Sequence, residues 1–338
     1  MTRDEVLALL DLPIRSAAVG AALELGLFWR IEVRPLPVNS LAAAMGIAAG
    51  RCAAWLRVLA DAGLVEESAD GFGPTEVARR AILGSYSRDS WRMLAQEARE
   101  RVGLLADLPD ALGRPASATA ERTAAYVEMM ARDPARAARF TRMLFELHRD
   151  LAGKVAASID LAGGERILDL GGGSGVVALA LSRRWPGVSV TVLDIATVCD
   201  EGRRLVAHED PGARIDFQPG NFLSGELPGG FDLVLECDVA IFSAALFEKI
   251  RRALVPGGRF VVVDQLAEGE GSAPQVESGR ALVRTLGDPD WRASSLESVG
   301  GLMVAAGFCD LRRRSLGSGP GVGGLEADAV MLEGRIPV

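Results

Sequence analysis

Ile167-Leu168-Asp169-Leu170-Gly171-Gly172-Gly173-Ser174-Gly175 is the stretch whose reading decides the fold. Apolar residues at 167, 168 and 170 make a short buried strand, and a helix is predicted from Val176. Between them lies a turn built almost wholly of glycine. Such a turn lets a ligand approach the backbone, because no Cβ intervenes.

Two ligand classes use turns of this kind. A dinucleotide needs G-x-G-x-x-G/A, whose third place must be small for helix–strand packing. Counted from Gly171 that place is Val176, which is too large. The pattern is instead D-x-G-x-G-x-G, with Asp169 two residues before the first glycine. A pyrophosphate would be repelled there. S-adenosyl-L-methionine has no phosphate and carries an ammonium and a sulfonium, so the acid favours it.

Outward from this turn, Asp194 ends the next strand, Val188–Asp194, where a carboxylate suits a bidentate hydrogen bond to ribose hydroxyls. Further strands are read at Arg214–Gln218, Phe231–Glu236 and Arg259–Asp264, with helices beginning near Val176, Cys199 and Ala244. This alternation predicts an α/β fold, a Rossmann-like doubly wound and mostly parallel sheet. Cys309–Ser315 and Asp328–Glu333 are expected to close it. Gly220-Asn221-Phe222 follows the third strand, placing an amide and an aromatic ring where an adenine would be read and covered.

Upstream the grammar is helical. Residues 1–30 read as an amphipathic helix ended by Arg34–Pro37. Leu41–Met45 and Arg51–Ala62 read as short helices closed by Gly46 and Gly63, and Asp70-Gly71 as the turn of a small hairpin, together a winged helix. The second helix offers Arg51 and Arg57 but is otherwise Cys52, Ala53, Ala54, Trp55, Leu56, Val58 and Leu59. A groove-reading helix presents polar side chains. This one is built to pack, and no nucleic-acid partner is expected. Residues 88–160 read as mostly helical, with a break at Gly113-Arg114-Pro115 and helices at Tyr126–Met130 and Arg136–Ile159. The expected organisation is a helical winged-helix-like domain over 1–110, linking helices over 111–160, and a Rossmann-like cofactor domain over 161–338. An apolar helical segment too large to leave exposed predicts a homodimer.

Bulk properties agree. The chain has 338 residues and a net charge of −8, which repels phosphate backbones. Four scattered cysteines without a C-x-x-C pair, and only two histidines, suggest neither a disulfide framework nor a metal site. Met1–Leu10 carries Arg3, Asp4 and Glu5 rather than a signal-peptide profile, and the apolar stretch Ser16–Leu27 reads as too short for a bilayer. The expectation is a cytoplasmic protein with no membrane partner.

These residues, in this order, resemble the class I O-methyltransferases of secondary metabolism, the group of plant caffeate-type, acetylserotonin and bacterial polyketide- or phenazine-tailoring enzymes. Matching motifs are Asp169–Gly175, Leu193-Asp194, Gly220-Asn221-Phe222, Ala253–Arg259 and Ala306-Gly307-Phe308. The resemblance implies a homodimer through the dimerisation domain over 1–110, and a small-molecule substrate pocket lined by the linking helices over 111–160 at the sheet's carboxyl edge. It also implies a cofactor site at Gly171, Gly173, Asp194, Asn221 and Phe222, with Asp169 and Cys237 alongside. Asn221 departs from the family's Asp, although an amide still accepts from an adenine amino group.

The larger departure is the base. After the fourth strand the family reads Leu-His-Asp-Trp, and that His deprotonates a phenol. Here the segment is Leu235-Glu236-Cys237-Asp238-Val239-Ala240-Ile241-Phe242-Ser243. One register puts Ile241 at the His place and the other Glu236; neither supplies a His. A base is required only for a protonated, weakly acidic nucleophile. The loss points to carbon, nitrogen or ionised-oxygen acceptors, or to a relative that binds the cofactor without methylating and performs decarboxylation, hydroxylation or pericyclic chemistry. The groups able to substitute are Glu236 and Asp238 at the strand's end and His148 on the long helix. Met129, Phe140, Met143, Leu144, Ile241 and Trp291 are the expected pocket lining, and they suggest an apolar, ring-containing substrate.

Overall fold

The computed structural model describes residues 1–113, 127–267, 278–287, 291–320 and 326–338. Arg114, Pro115 and Tyr126, read above as a break and a helix start, lie outside them. The chain divides into two compact units, Met1–Asp107 and Leu108–Val338. The helices expected as a separate linking segment therefore belong to the sheet's unit. They pack onto it directly, Pro134–Leu147 against Ala196–Glu209 and Arg149–Ser158 against Val176–Arg184.

In the first unit, Thr2 closes a capping box with Glu5 at the start of helix Arg3–Leu25, and Gly26, at φ 71°, ends it. Helices Val38–Met45 and Ala49–Asp61 follow, then an antiparallel hairpin of β1 (Val65–Ser68) and β2 (Gly71–Pro74). The second of these helices buries Cys52, Leu56 and Leu59 among Leu27, Phe28, Ile31 and Leu41. The Trp55 indole N–H donates to the Ala18 carbonyl at 2.9 Å.

Helix Arg3–Leu25 corrects one expectation. It begins at Arg3, well before the Ser16–Leu27 stretch, and by length and composition it is long and apolar enough to cross a membrane. It carries Asp11 and Arg15 midway, and Leu7, Leu10 and Ile14 are all more than half exposed.

In the second unit the strands are β3 (Arg166–Leu170), β4 (Ser189–Asp194), β5 (Ile215–Pro219), β6 (Phe231–Cys237), β7 (Leu254–Asp264), β8 (Cys309–Pro320) and β9 (Glu326–Arg335). Their order is β5-β4-β3-β6-β7-β9-β8. The first five run parallel, while β9 is antiparallel to both neighbours. Pleating splits the core into two layers. Ile167, Val190, Leu233 and Val261 pack on one face; Leu168, Val234, Phe260 and Val262 pack on the other with Phe247 and Met303. The order reverses direction between β3 and β6, and in such sheets the crevice outside the strands' carboxyl ends at that switch is where ligands bind.

Candidate active site

At the carboxyl ends of β3 and β4 the glycine turn takes a path only glycine follows easily. Gly171, Gly173 and Gly175 have φ of 70°, 52° and 76°. The Gly171 N–H donates to the Leu193 carbonyl at 2.9 Å, continuing the β3–β4 ladder. The Gly173 N–H donates to Asp194 Oδ2 at 3.0 Å, and the Ile195 N–H donates to Oδ1 at 2.7 Å. Asp194 is thereby locked facing the loop, its oxygens retaining the capacity to accept from hydroxyls.

Asp169 lies beneath. It is fully buried, and neither carboxylate oxygen has an aligned donor. Burial first, and then the charge of Asp194, raise it from 3.8 to about 7. Burial likewise raises Asp194 to about 6, against the two amides that hold it. A buried, unpartnered carboxylate is costly and calls for a cation. A ligand bearing an ammonium supplies one, so these residues fit S-adenosylmethionine. Around Gly171 the wall is apolar: a Cβ built there would lie 2.8 Å from Val239 Cγ2 and 3.5 Å from Phe222 Cε1.

Asn221 and Phe222 follow β5. Asn221 is exposed, and its Oδ1 already accepts from the Leu223 N–H at 3.0 Å. The loop is held from below by Lys249, which donates to the carbonyls of Phe222, Leu223 and Gly225 at 3.3, 3.0 and 2.8 Å. Nothing in the local sequence announces Lys249, since its partners come from across the sheet.

The edge of β6 and β7 is arranged differently. Asp169 pairs in register with Leu235, and Leu170 with Glu236, so Glu236 stands on the opposite face of the sheet from Asp169. Glu236 is 1% exposed; its Oε1 accepts from the Ile241 N–H at 3.4 Å while Oε2 has no partner. Burial and the nearby Asp264 raise it to about 8, so it keeps its proton at neutral pH. Asp264, at the end of β7, accepts from the Ala240 N–H at 3.1 Å and the Gln265 N–H at 2.7 Å. Burial and the charge of Asp238 push it up, partly offset by its two amides and by Arg284. Asp264 was not singled out in the sequence, where a carboxylate ending a fifth strand carries no mark of its own. Cys237 is half-buried, and burial drives its thiol upward.

After β6 the backbone turns through Asp238 and Ala240, both left-handed at φ 55° and 56°. That conformation costs a residue with a side chain roughly 1–2 kcal/mol. Asp238 Oδ2 ends 3.1 Å from His148 Nε2, with the two side chains 17% and 13% exposed. The pair is close but not aligned as a hydrogen bond, and neither atom has another partner among the described residues. His148 closes helix Pro134–Leu147 and opens Arg149–Ser158. Phe140, Leu144 and His148 recur four apart along one half-buried stripe, whereas Met143 is buried. Met129, Ile241 and Trp291 are half-buried. The structure thus joins Asp238 to His148 and separates Glu236 from them. His208 is exposed.

A doubly wound sheet with a glycine turn, an orphan carboxylate below it and an acidic residue at the next strand end defines a methyltransferase site. Residues 107–309, more than half the chain, match the O-methyltransferase domain family, and the chain belongs to that family. It is 24% identical over 309 residues to demethylspheroidene O-methyltransferase of Cereibacter sphaeroides, covering 88% of this chain and 80% of that one. It is 29% identical over 123 residues to L-tyrosine C(3)-methyltransferase of Streptomyces lavendulae, covering 35% and 34%. Its fold matches human N-acetylserotonin methyltransferase in complex with S-adenosylmethionine, with TM-score 0.78 and 22% identity over 100% of this chain and 99% of that one. The protein is an S-adenosylmethionine-dependent small-molecule methyltransferase.

Proposed function

We propose that the enzyme methylates a small, ring-containing metabolite at carbon, nitrogen or an ionised oxygen, as a homodimer built on its N-terminal unit. The observation carrying the acceptor class is the end of β6. The strand and the loop after it contribute no histidine of their own, and Glu236, which one register puts in the family's base position, is buried under the loop holding its proton. A positioned acceptor needs no strong base when its nucleophilic atom is already electron-rich. The likeness to an enzyme named L-tyrosine C(3)-methyltransferase supports the carbon reading.

Bound, S-adenosylmethionine supplies a methyl group on a cationic sulfur, which leaves as a neutral thioether. Toward the cofactor the chain's part is positional. Asp194 holds the ribose, Asp169 faces the ammonium end, and Phe222 with Asn221 covers the adenine. Phe140, Leu144, Ile241 and Trp291 form the apolar wall for the acceptor. The exposed aliphatic row of helix Arg3–Leu25 is the proposed dimer surface, in a helix–turn–helix–hairpin unit read as a winged helix.

The test incubates the protein with S-adenosylmethionine and a panel of cyclic 1,3-diketones, arylamines, phenols and alkyl alcohols. S-adenosylhomocysteine is expected to form in step with a product one methyl heavier, from diketones, amines or phenol ring carbons. Preferential methylation of alkyl hydroxyls would overturn the acceptor class. Consumption of an acceptor without S-adenosylhomocysteine would replace methyl transfer with the non-methylating reading. Light scattering showing a monomer at micromolar concentration would sink the dimer.

A further inference from the structure

We propose that His148 and Asp238 are the acid–base pair of this enzyme, holding between Nε2 and Oδ2 the proton that leaves the acceptor. The inference rests on the methyltransferase reading and narrows it to acceptors that arrive with a proton to lose, on nitrogen, on a ring carbon or on an attached hydroxyl.

Three features of the structure carry it. First, the two atoms lie 3.1 Å apart and come from distant elements, a helix junction and the loop after β6. Second, both are buried without a hydrogen-bond partner among the described residues. A histidine serving only to end a helix would leave no such atom facing a carboxylate, because unpaired buried polar groups cost about 1–3 kcal/mol each. Third, Asp238 reaches this point through a left-handed backbone that the structure takes trouble to hold. The Asp238 N–H donates to the Val263 carbonyl at 2.8 Å, the Ala240 N–H to Asp264 and the Ile241 N–H to Glu236. Strained, over-determined backbone of this kind concentrates at working sites.

The step balances as follows. The acceptor's bond to hydrogen breaks and its bond to the methyl carbon forms, while the methyl's bond to the donor sulfur breaks and leaves its electron pair on the departing neutral thioether. The proton passes to the Asp238 carboxylate, and His148 Nε2 shares it across the 3.1 Å contact until solvent takes it. Glu236 and Asp264 act as positioning residues that hold the loop and touch no reactant.

The test has one arm without cofactor and one with it. The chain has only two histidines, so the imidazole signals of His148 and His208 are separable by NMR in the ligand-free protein. Asp238→Asn is expected to move the His148 ring signals and leave those of His208 in place. With the fastest acceptor of the panel above, His148→Gln and Asp238→Asn are expected to lose about a hundredfold in turnover. Calorimetric affinity for S-adenosylmethionine should stay within about twofold of the wild type, as befits a group off the cofactor. Added imidazole should restore part of the activity of His148→Gly, which a purely structural defect would not allow. Unmoved His148 signals in Asp238→Asn, near-wild-type turnover in either variant, or turnover and cofactor affinity falling together would each overturn the pair. If the wild type methylates nothing in the panel, the functional reading fails on its own and the NMR arm still decides whether the two side chains are coupled.

Discussion

The two edges of the crevice reach unusual backbone conformations by opposite means. At β3 and β4 the left-handed positions are glycines, which adopt them without a Cβ penalty, and the loop amides bind a neighbouring carboxylate. At β6 and β7 the left-handed positions are Asp238 and Ala240, which pay for theirs, and buried Glu236 and Asp264 hold the loop in place. The first edge is shaped by local chain chemistry and the second by tertiary contacts. On the proposed roles, the cofactor is held by the first edge and the reacting group is placed by the second.

The largest expected effect tests the buried charge of the first edge. Asp169 rises from 3.8 to about 7 on folding, so the unfolded chain loses that proton before the folded one does. Its carboxylate therefore costs stability that grows as pH climbs from about 4 to about 7, reaching on the order of 4 kcal/mol. Asp169→Asn should raise the melting temperature of the ligand-free protein at pH 8 and leave it nearly unchanged at pH 4, while weakening cofactor binding at pH 8. A mutant no more stable at pH 8 would show that the carboxylate already has a partner.

Next in size is Asp194, the carboxylate proposed to hold the ribose. Two charge-assisted hydrogen bonds lost in Asp194→Ala should weaken S-adenosylmethionine about a hundredfold by calorimetry. Unchanged affinity would remove Asp194 from that role.

The last two substitutions set the edges directly against each other. A Cβ at Gly173 meets nothing nearer than Asp194 Oδ2 at 3.7 Å, so Gly173→Ala isolates the backbone penalty and should cost about 1–2 kcal/mol in denaturant unfolding. Ala240→Gly reverses that penalty at the second edge. It should stabilise by under about 1 kcal/mol, after subtracting the entropy glycine loses on folding. If Ala240→Gly destabilises instead, the loop is held by the alanine methyl and the contrast fails.

The same division explains what was legible in the residues alone. Asp169, Gly171, Gly173 and Asp194 were found because their spacing is itself the structure: a strand, a turn only glycine makes, a helix and a second strand end. Four of the five parallel strands, β3 to β6, lie within a residue or two of their expected ends, since a five- to seven-residue apolar run between turn signals fixes them. Leu254–Asp264 begins earlier than expected because Leu254 pairs with Phe231 of β6, and the two closing strands extend further because pairing with each other recruits residues of no strong propensity. Glu236 looked as good a base as Asp238, being two residues away on the same strand end. Only the register, which puts Glu236 beside Leu170 and Val262, showed that its side chain leaves the site face. Asp264 and Lys249 went unnoticed because their partners, Ala240 and the Phe222–Gly225 carbonyls, lie 24 to 27 residues away.

By itself, then, the sequence determined the sheet, its helices and the cofactor turn, because period-two burial and glycine's missing Cβ are local properties that no distant contact needs to supply. Only the tertiary structure decided which acid meets His148. That choice depends on the direction in which a strained loop leaves β6, and the loop's direction is held by carboxylates and carbonyls the chain brings back from other strands.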